Sequence, residues 1–275
     1  MHMKNILVPV DFSDCSLNAA ETAMSIAVRS KADIHFLHIM PEPAVRMHVP
    51  HSTTIPGRSA QEGHAQNELN ILVARASRIG LMAKPLLVYD KGNERIENYI
   101  TPLNIDLIVM GSHGASGIRE LVIGSQTQRV VRHSSVPVLV IKNMIHDPYK
   151  IERIVFASTF QEDNVSAFDV VITFARLWKA SVHILFINFI DKLVDQDTIN
   201  SIIQKLITNY PDISFTSNTA EANDEEWGIH QFVKMIDADM VAITTHDKTG
   251  FIVRHSVAED LVNHEKVPVL VIGGG

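Results

Sequence analysis

The hexapeptide VPVLVI occurs twice, at residues 136–141 and again at residues 267–272. Three further segments recur in the same order. The offset in residue number between the two copies decreases along the chain, as expected for a second copy with shorter loops. The matched pairs are ILVPVDF at 6–12 with IVFASTF at 154–160, ADIHFLHI at 32–39 with ASVHILFI at 180–187, and DLIVM at 106–110 with DMVAI at 239–243. We predict two copies of one domain in tandem, over residues 1–143 and 150–275, with a polar linker around residues 143–150.

The repeated segments are short apolar runs, and longer stretches with helical periodicity separate them. Residues 107–110 show no polar alternation, which is typical of strands buried on both faces of a sheet. The spacing of apolar residues predicts a helix over Ser16–Arg29. Further candidate helices are Asn67–Arg78, Glu94–Ile100 and a stretch that follows Gly117 or Gly124 and runs through Arg132. Ser13 or Asp14 is the candidate N-cap of the first helix. Alternating strands and helices predict an α/β fold with a doubly wound parallel sheet, and ligands bind such sheets outside the carboxyl ends of the strands.

Composition narrows the class of protein. The chain is 46% hydrophobic and 20% charged, with a formal net charge of −7, which argues against a general nucleic-acid binder. A single cysteine, Cys15, excludes an internal disulfide framework. No apolar run approaches the roughly 20 residues that span a bilayer, and the N-terminus lacks a signal-peptide pattern. We predict a cytoplasmic protein with neither nucleic acid nor membrane as partner.

A glycine-rich loop follows the apolar run at residues 107–110. Residues 111–117 read GSHGASG, and Gly124-Ser125 precede a predicted helix. Glycines let backbone amides approach a ligand closely, and a helix start offers free N–H groups to an anion. On these features alone the loop is either a phosphate site or a turn that connects a strand to a helix.

The spacing of this loop resembles a family signature. Gly111-x2-Gly114-x9-Gly124-Ser125 matches the ATP-binding pattern of the universal stress protein family. The segment PVDFS at 9–13, the pair His38-Ile39 and the segment at 136–140 resemble other landmarks of that family. The whole chain therefore resembles a tandem universal stress protein. The resemblance implies two adenine nucleotide alpha hydrolase-like, Rossmann-like domains that form a pseudo-dimer within one chain.

The resemblance also implies roles for individual residues. Asp11 would contact the ribose or base, and Gln126 would lie at the rim of the site. The adenine pocket would be formed by Pro9, Val10, Ile39 and Met110. Ribose and phosphates would be received by Gly111, Gly114, Gly124 and Ser125. The implied ligand is ATP, or alternatively ADP or AMP, and a magnesium ion bound with the nucleotide is left open. Asp11 has an alternative interpretation as a helix cap, and Ile39 and Met110 as ordinary core residues.

The second copy departs from the signature. Alignment places Thr244 at Gly111 and Asp247 at Gly114, and His255-Ser256 at Gly124-Ser125. Asp247 lies where a phosphate should approach. Its carboxylate adds a repulsive charge in place of a backbone amide donor. We therefore predict that only the first domain holds a nucleotide.

Other constellations carry weaker signals. The insertion at residues 41–66 contains His48, His51 and His64 and is either a functional lid or a structureless loop. No histidine group has the spacing of a strong zinc motif, so we predict no metal site. Cys15 has no evident base partner, and we predict no catalytic residue.

The leading functional hypothesis is an ATP- or ADP-binding regulatory protein of the stress response. One alternative is a weak ATPase, an autophosphorylating protein modified at Ser112 or Ser125, or another ATP-consuming enzyme of the same superfamily. A second alternative is an interaction module or a protein that binds a non-nucleotide ligand. The resemblance also implies that the strands at Val136 and Val267 contact each other, and a homodimer of the whole chain is left open.

Overall fold

The apolar runs predicted as strands join into one ten-stranded sheet in this computed structural model. The structure describes residues 3–42, 56–113, 123–142, 150–158, 165–190, 193–245 and 253–273. Most of the predicted linker lies outside these ranges, as does the part of the 41–66 insertion from residue 43 to residue 55.

The described part of the first repeat contains five strands, three α-helices and one 3₁₀ turn. In chain order they are β1 (Asn5–Pro9), α1 (Asp14–Ser30), β2 (Asp33–Pro41), α2 (Pro56–Arg78), β3 (Ala83–Asp90), the 3₁₀ turn (Ile96–Tyr99), β4 (Leu107–Gly111), α3 (Ser125–His133) and β5 (Val138–Ile141).

The second repeat follows the same order of strands and adds a helix. Its elements are β6 (Arg153–Ser158), α4 (Val165–Trp178), β7 (Ser181–Phe189), α5 (Gln196–Ile207), β8 (Phe215–Ala222), α6 (Glu225–Ile236), β9 (Met240–Thr244), α7 (Val253–His264) and β10 (Val269–Ile272). Among the described helices, none combines the length and apolar character needed to cross a bilayer.

The strand order is β3-β2-β1-β4-β5-β10-β9-β6-β7-β8. Neighbouring strands within each repeat run parallel, whereas β5 and β10 pair antiparallel and join the repeats, with Leu139 opposite Leu270. In the first repeat β1 lies between β2 and β4, so the order of the strands reverses there. Such a reversal opens a crevice at the carboxyl ends of the two strands, and this is where the candidate site lies.

Two apolar layers cover the sheet. The layer on one face packs α1, α2, α4 and α5 against the strands, and the other packs the 3₁₀ turn, α3, α6 and α7. This confirms the predicted α/β fold with helices on both faces.

The predicted helices agree with the structure in three of four cases. Ser16–Arg29 and Asn67–Arg78 lie within α1 and α2. Of the two starts predicted for the third helix, the one at Gly124 agrees with α3, which begins at Ser125 and contains Arg132. The prediction of a helix over Glu94–Ile100 was wrong, because only a 3₁₀ turn forms there. Pro102 lacks an N–H donor and disfavours helical conformation in the residue before it, which limits extension of the turn.

Candidate functional site

A cavity of about 350 Å³ opens at the carboxyl ends of β1, β2 and β4. Nine of the ten predicted site residues line it: Pro9, Val10, Asp11, Ile39, Met110, Gly111, Gly124, Ser125 and Gln126. The tenth, Gly114, lies outside the described residues. The cavity is within the range of about 300–1,000 Å³ that is typical of small-molecule sites.

One end of the cavity is apolar. Val10 and Met110 are buried at the ends of β1 and β4, and Ile39 is half-buried on β2. Leu37 and Ile96 complete this wall and were missed by the sequence analysis. Leu37 lies two residues before Ile39 on the same face of β2, so strand alternation was a usable signal for it. The single 3₁₀ turn that carries Ile96 gave no such signal.

The loop between β1 and α1 is held by local hydrogen bonds. The carbonyl oxygen of Val10 accepts a hydrogen bond from His38 Nδ1 at 2.7 Å, and Val10 N–H donates to Leu37 O at 2.8 Å. Phe12 adopts a positive φ of 64° and packs its ring on His38, with centroids 4.6 Å apart. Backbone strain of this kind is frequent at ligand sites.

Asp11 is not the cap of α1. Ser13 is the N-cap, and its side chain accepts a hydrogen bond from Ser16 N–H. The carboxylate of Asp11 instead accepts hydrogen bonds from Ser13 N–H at 3.1 Å and from Ser13 Oγ at 2.6 Å. Asp11 is exposed and lines the cavity.

Ser13→Ala is expected to lower the free energy of unfolding by about 1 kcal/mol, because it removes the cap of α1. Denaturant titration measures this loss. Ser30→Ala is the matched control, since its hydroxyl donates to Ile26 O within the same helix and caps no free N–H group. Equal losses in the two variants would contradict the assignment of Ser13 as the cap.

The other end of the cavity is built from backbone groups. Gly124 is the N-cap of α3 and provides no capping side chain. The first helical hydrogen bond runs from Gln128 N–H to Gly124 O, so the N–H groups of residues 125–127 lie ahead of it at the positive end of the helix. The first turn of α3 contains no acidic residue. This end suits an anion.

Gly111 has a packing role as well as a place in the cavity. A Cβ atom there would meet the carbonyl carbon and Sγ of Cys15, each at 3.0 Å. Cys15 is buried, and its Sγ donates to Ile141 O at 3.1 Å. Cys15 is therefore a packing residue here, and Gly111 brings α1 close to the end of β4.

Four polar residues of the cavity were not predicted as site residues. They are Ser16, His38, His113 and Thr127. Thr127 Oγ1 donates to Gly111 O at 2.9 Å and ties α3 to β4. Ser112 Oγ and His113 Nδ1 lie 2.9 Å apart. Among the described residues, no group of three or more His, Cys, Asp or Glu side chains is arranged to hold a metal ion.

The second repeat differs at the matching place. Thr244, the counterpart of Gly111, is buried at the end of β9. Alignment puts His255 at Gly124, the N-cap of α3, but α7 already begins at Val253. The counterpart of the cap therefore lies inside the helix. Asp247 and Thr159, the counterparts of Gly114 and Asp11, lie outside the described residues.

Comparison with known proteins identifies the family. The sequence profile of the universal stress protein family matches residues 2–142. Universal stress protein MJ0577 of Methanocaldococcus jannaschii is 26% identical over 153 residues, covering 50% of this chain and 94% of that protein. Universal stress protein YxiE of Bacillus subtilis is 27% identical over 144 residues, covering 50% of this chain and 97% of that protein.

The fold likeness extends over both repeats. The crystal structure of a universal stress protein from Archaeoglobus fulgidus covers 100% of both chains, with a TM-score of 0.77 and 19% sequence identity. A putative universal stress protein of Pseudomonas aeruginosa covers 98% of this chain and 93% of its own, with a TM-score of 0.69 and 16% identity. The sequence relatives match half of this chain, whereas the structural neighbours match all of it. Both findings agree with a tandem arrangement. The chain belongs to the universal stress protein family.

Proposed function

We propose that the first repeat binds an adenine nucleotide, ATP, ADP or AMP, and that the chain is a nucleotide-responsive regulatory protein. The observation that carries this proposal is the cavity itself. Its lining combines an apolar wall with the start of α3, which has no capping side chain, and with the exposed residue Asp11. A nucleotide has matching parts, namely an apolar ring, phosphates and hydroxyl groups.

The apolar end accommodates the base. Val10, Ile39 and Met110 offer apolar surface from three adjacent strands, and burial of apolar area stabilises a complex by about 25 cal/mol per Å² before the costs of association. The carboxylate of Asp11 accepts hydrogen bonds from ribose hydroxyl groups.

The phosphates bind at the start of α3. Backbone N–H groups of residues 125–127 and the hydroxyl of Ser125 donate to phosphate oxygens, each hydrogen bond to a charged group contributing about 1.5–3 kcal/mol. The helix dipole adds roughly 0.3–1 kcal/mol. A few such contacts hold a triphosphate without a cluster of lysines.

The second repeat has a structural role in this proposal. Its helix α7 begins before the position that matches Gly124. The residues that match 125–127 therefore lie past the first three helical residues, where N–H groups bond to carbonyl groups within the helix. The β5–β10 pair takes the place of a contact between two separate domains, which makes the chain a pseudo-dimer with one nucleotide site.

Calorimetric titration of the full chain with ATP tests the proposal, and we expect one site per chain. Two equivalent sites would contradict the role given to the second repeat. A complete absence of binding to ATP, ADP and AMP would overturn the proposed function. Titration with and without magnesium chloride measures the effect of the cation, which is usually held by phosphates and one or two carboxylates; Asp11 is the carboxylate among the described lining residues.

A turnover assay separates a regulatory protein from an enzyme. Binding without sustained multiple turnover is the result expected of a regulatory protein. Product formation proportional to protein over many turnovers would instead establish an ATP-consuming enzyme.

A further inference from the structure

Asn263, near the end of α7 in the second repeat, contacts the backbone just before α3 in the first repeat. Its Oδ1 accepts a hydrogen bond from Ile123 N–H at 2.6 Å, between residues 140 positions apart in sequence. The side chain of Ile123 is buried, and the next residue is Gly124, the N-cap of α3. This hydrogen bond holds the peptide that leads directly into the proposed phosphate site.

Two further groups of α7 hold the same region of the first repeat. Glu259, which is buried one turn before Asn263, accepts hydrogen bonds from Gln128 Nε2 at 2.7 Å and from Arg132 Nη2 at 2.9 Å. The carbonyl oxygen of Asn263 accepts a hydrogen bond from Lys142 Nζ, just after β5. Helix α7 therefore contacts α3 along its length as well as at its start.

We propose that Asn263 is a positioning residue for the phosphate end of the cavity, so that the second repeat completes the site of the first. This inference rests on the proposed function, and it assigns a role to a residue outside the family signature. Asn263 acts through Ile123 and Gly124 and does not line the cavity.

The geometry predicts which part of the ligand is affected. Residues that orient a binding group must themselves be held by a second set of contacts, or the site is present but loosely defined. Asn263 holds the start of α3, whereas Val10, Ile39 and Met110 belong to strands that it does not touch. Losing the contact therefore weakens binding of the phosphates and leaves binding of the base and ribose unchanged.

The test compares ATP and adenosine on the full chain. Asn263→Leu keeps a side chain of similar size but removes the acceptor. Its affinity for ATP is expected to fall about 3- to 10-fold, the worth of one hydrogen bond, while its affinity for adenosine stays within twofold of the unsubstituted chain. Calorimetry measures both, and amide hydrogen exchange should show that Ile123 loses protection.

Two control variants make the result specific. Asn263→Asp keeps an acceptor, so protection of the Ile123 amide should be retained. Arg29→Met removes another contact between the repeats, the Arg29 guanidinium over the Trp178 ring at 5.4 Å, and should leave ATP affinity unchanged.

The outcomes separate the two proposals. If Asn263→Leu binds ATP as tightly as the unsubstituted chain, or loses affinity for ATP and adenosine equally, the positioning role is overturned and the nucleotide site stands. If the unsubstituted chain binds neither ligand, the proposed function fails, and the positioning role fails with it.

Discussion

Gly124→Asp is expected to lower ATP affinity at least about 100-fold and to leave the free energy of unfolding unchanged or higher. The loss is the worth of two hydrogen bonds to charged groups, about 1.5–3 kcal/mol each. Aspartate is among the preferred N-cap residues, and its carboxylate would accept the N–H groups that are proposed to bind phosphate. The same substitution would therefore weaken ATP binding without destabilising the protein.

The backbone at this position accepts a side chain. Gly124 has φ −63° and ψ 144°, an ordinary extended conformation. A Cβ atom there comes no closer than 3.5 Å to its nearest neighbours, His113 Cα and Ser112 O. A negative charge at the start of a helix adds about 0.3–1 kcal/mol of stability.

Gly124→Asn is the matched control, because it provides a cap of the same shape without the charge. Its ATP affinity should fall less than that of the aspartate variant, and both variants should bind adenosine normally. Calorimetry and denaturant titration measure the two properties. An aspartate variant that binds ATP like the unsubstituted chain would place the phosphates away from α3.

Leu139→Ala and Leu270→Ala are each expected to lower the free energy of unfolding by about 2–5 kcal/mol. These leucines lie directly opposite each other in the β5–β10 pair, and both are at most 1% exposed. Because they share one contact, the double variant should lose less than the sum of the two, with a coupling of roughly 0.5–3 kcal/mol. Denaturant titration of the unsubstituted chain, the two single variants and the double variant gives the double-mutant cycle.

A distant leucine provides the control. Leu185 is fully buried on β7, four strands from β5 and so roughly 19 Å away at about 4.8 Å per strand. Leu139→Ala and Leu185→Ala should be additive. A cooperative contact between the repeats would be contradicted if the losses at Leu139 and Leu270 were also additive. It would likewise be contradicted by two separate unfolding transitions of which Leu139→Ala shifts only one.

Local sequence patterns were sufficient for the fold. Strands buried on both faces form continuous apolar runs, and residues 107–110 and 138–141 show this directly. The weak point was Glu94–Ile100, where two buried isoleucines at helical spacing flank a single 3₁₀ turn: Ile96 begins the turn and Ile100 follows it, two residues before Pro102. Over so short a stretch, buried residues at this spacing occur in a 3₁₀ turn as well as in an α-helix.

The site was predictable where a family landmark carries its residues. Gly111 and Gly124 belong to one spaced motif, Pro9 and Ile39 belong to two other landmarks, and all four line the cavity. Contacts between distant segments leave no local pattern, so neither Ile96 in the wall nor the bond between Asn263 and Ile123 was foreseen. The early start of α7 at Val253 was also missed, because alignment of sequence letters does not tell where a helix begins.

Joining the repeats through β5 and β10 within one polypeptide has a consequence for concentration. Two separate domains associate only above their dissociation constant, whereas tethered domains meet at an effective concentration that reaches the millimolar range for short linkers. Dilution in the cell therefore does not separate the domain with the cavity from the domain that supports it. Because one polypeptide carries both domains, they are always present in equal amounts.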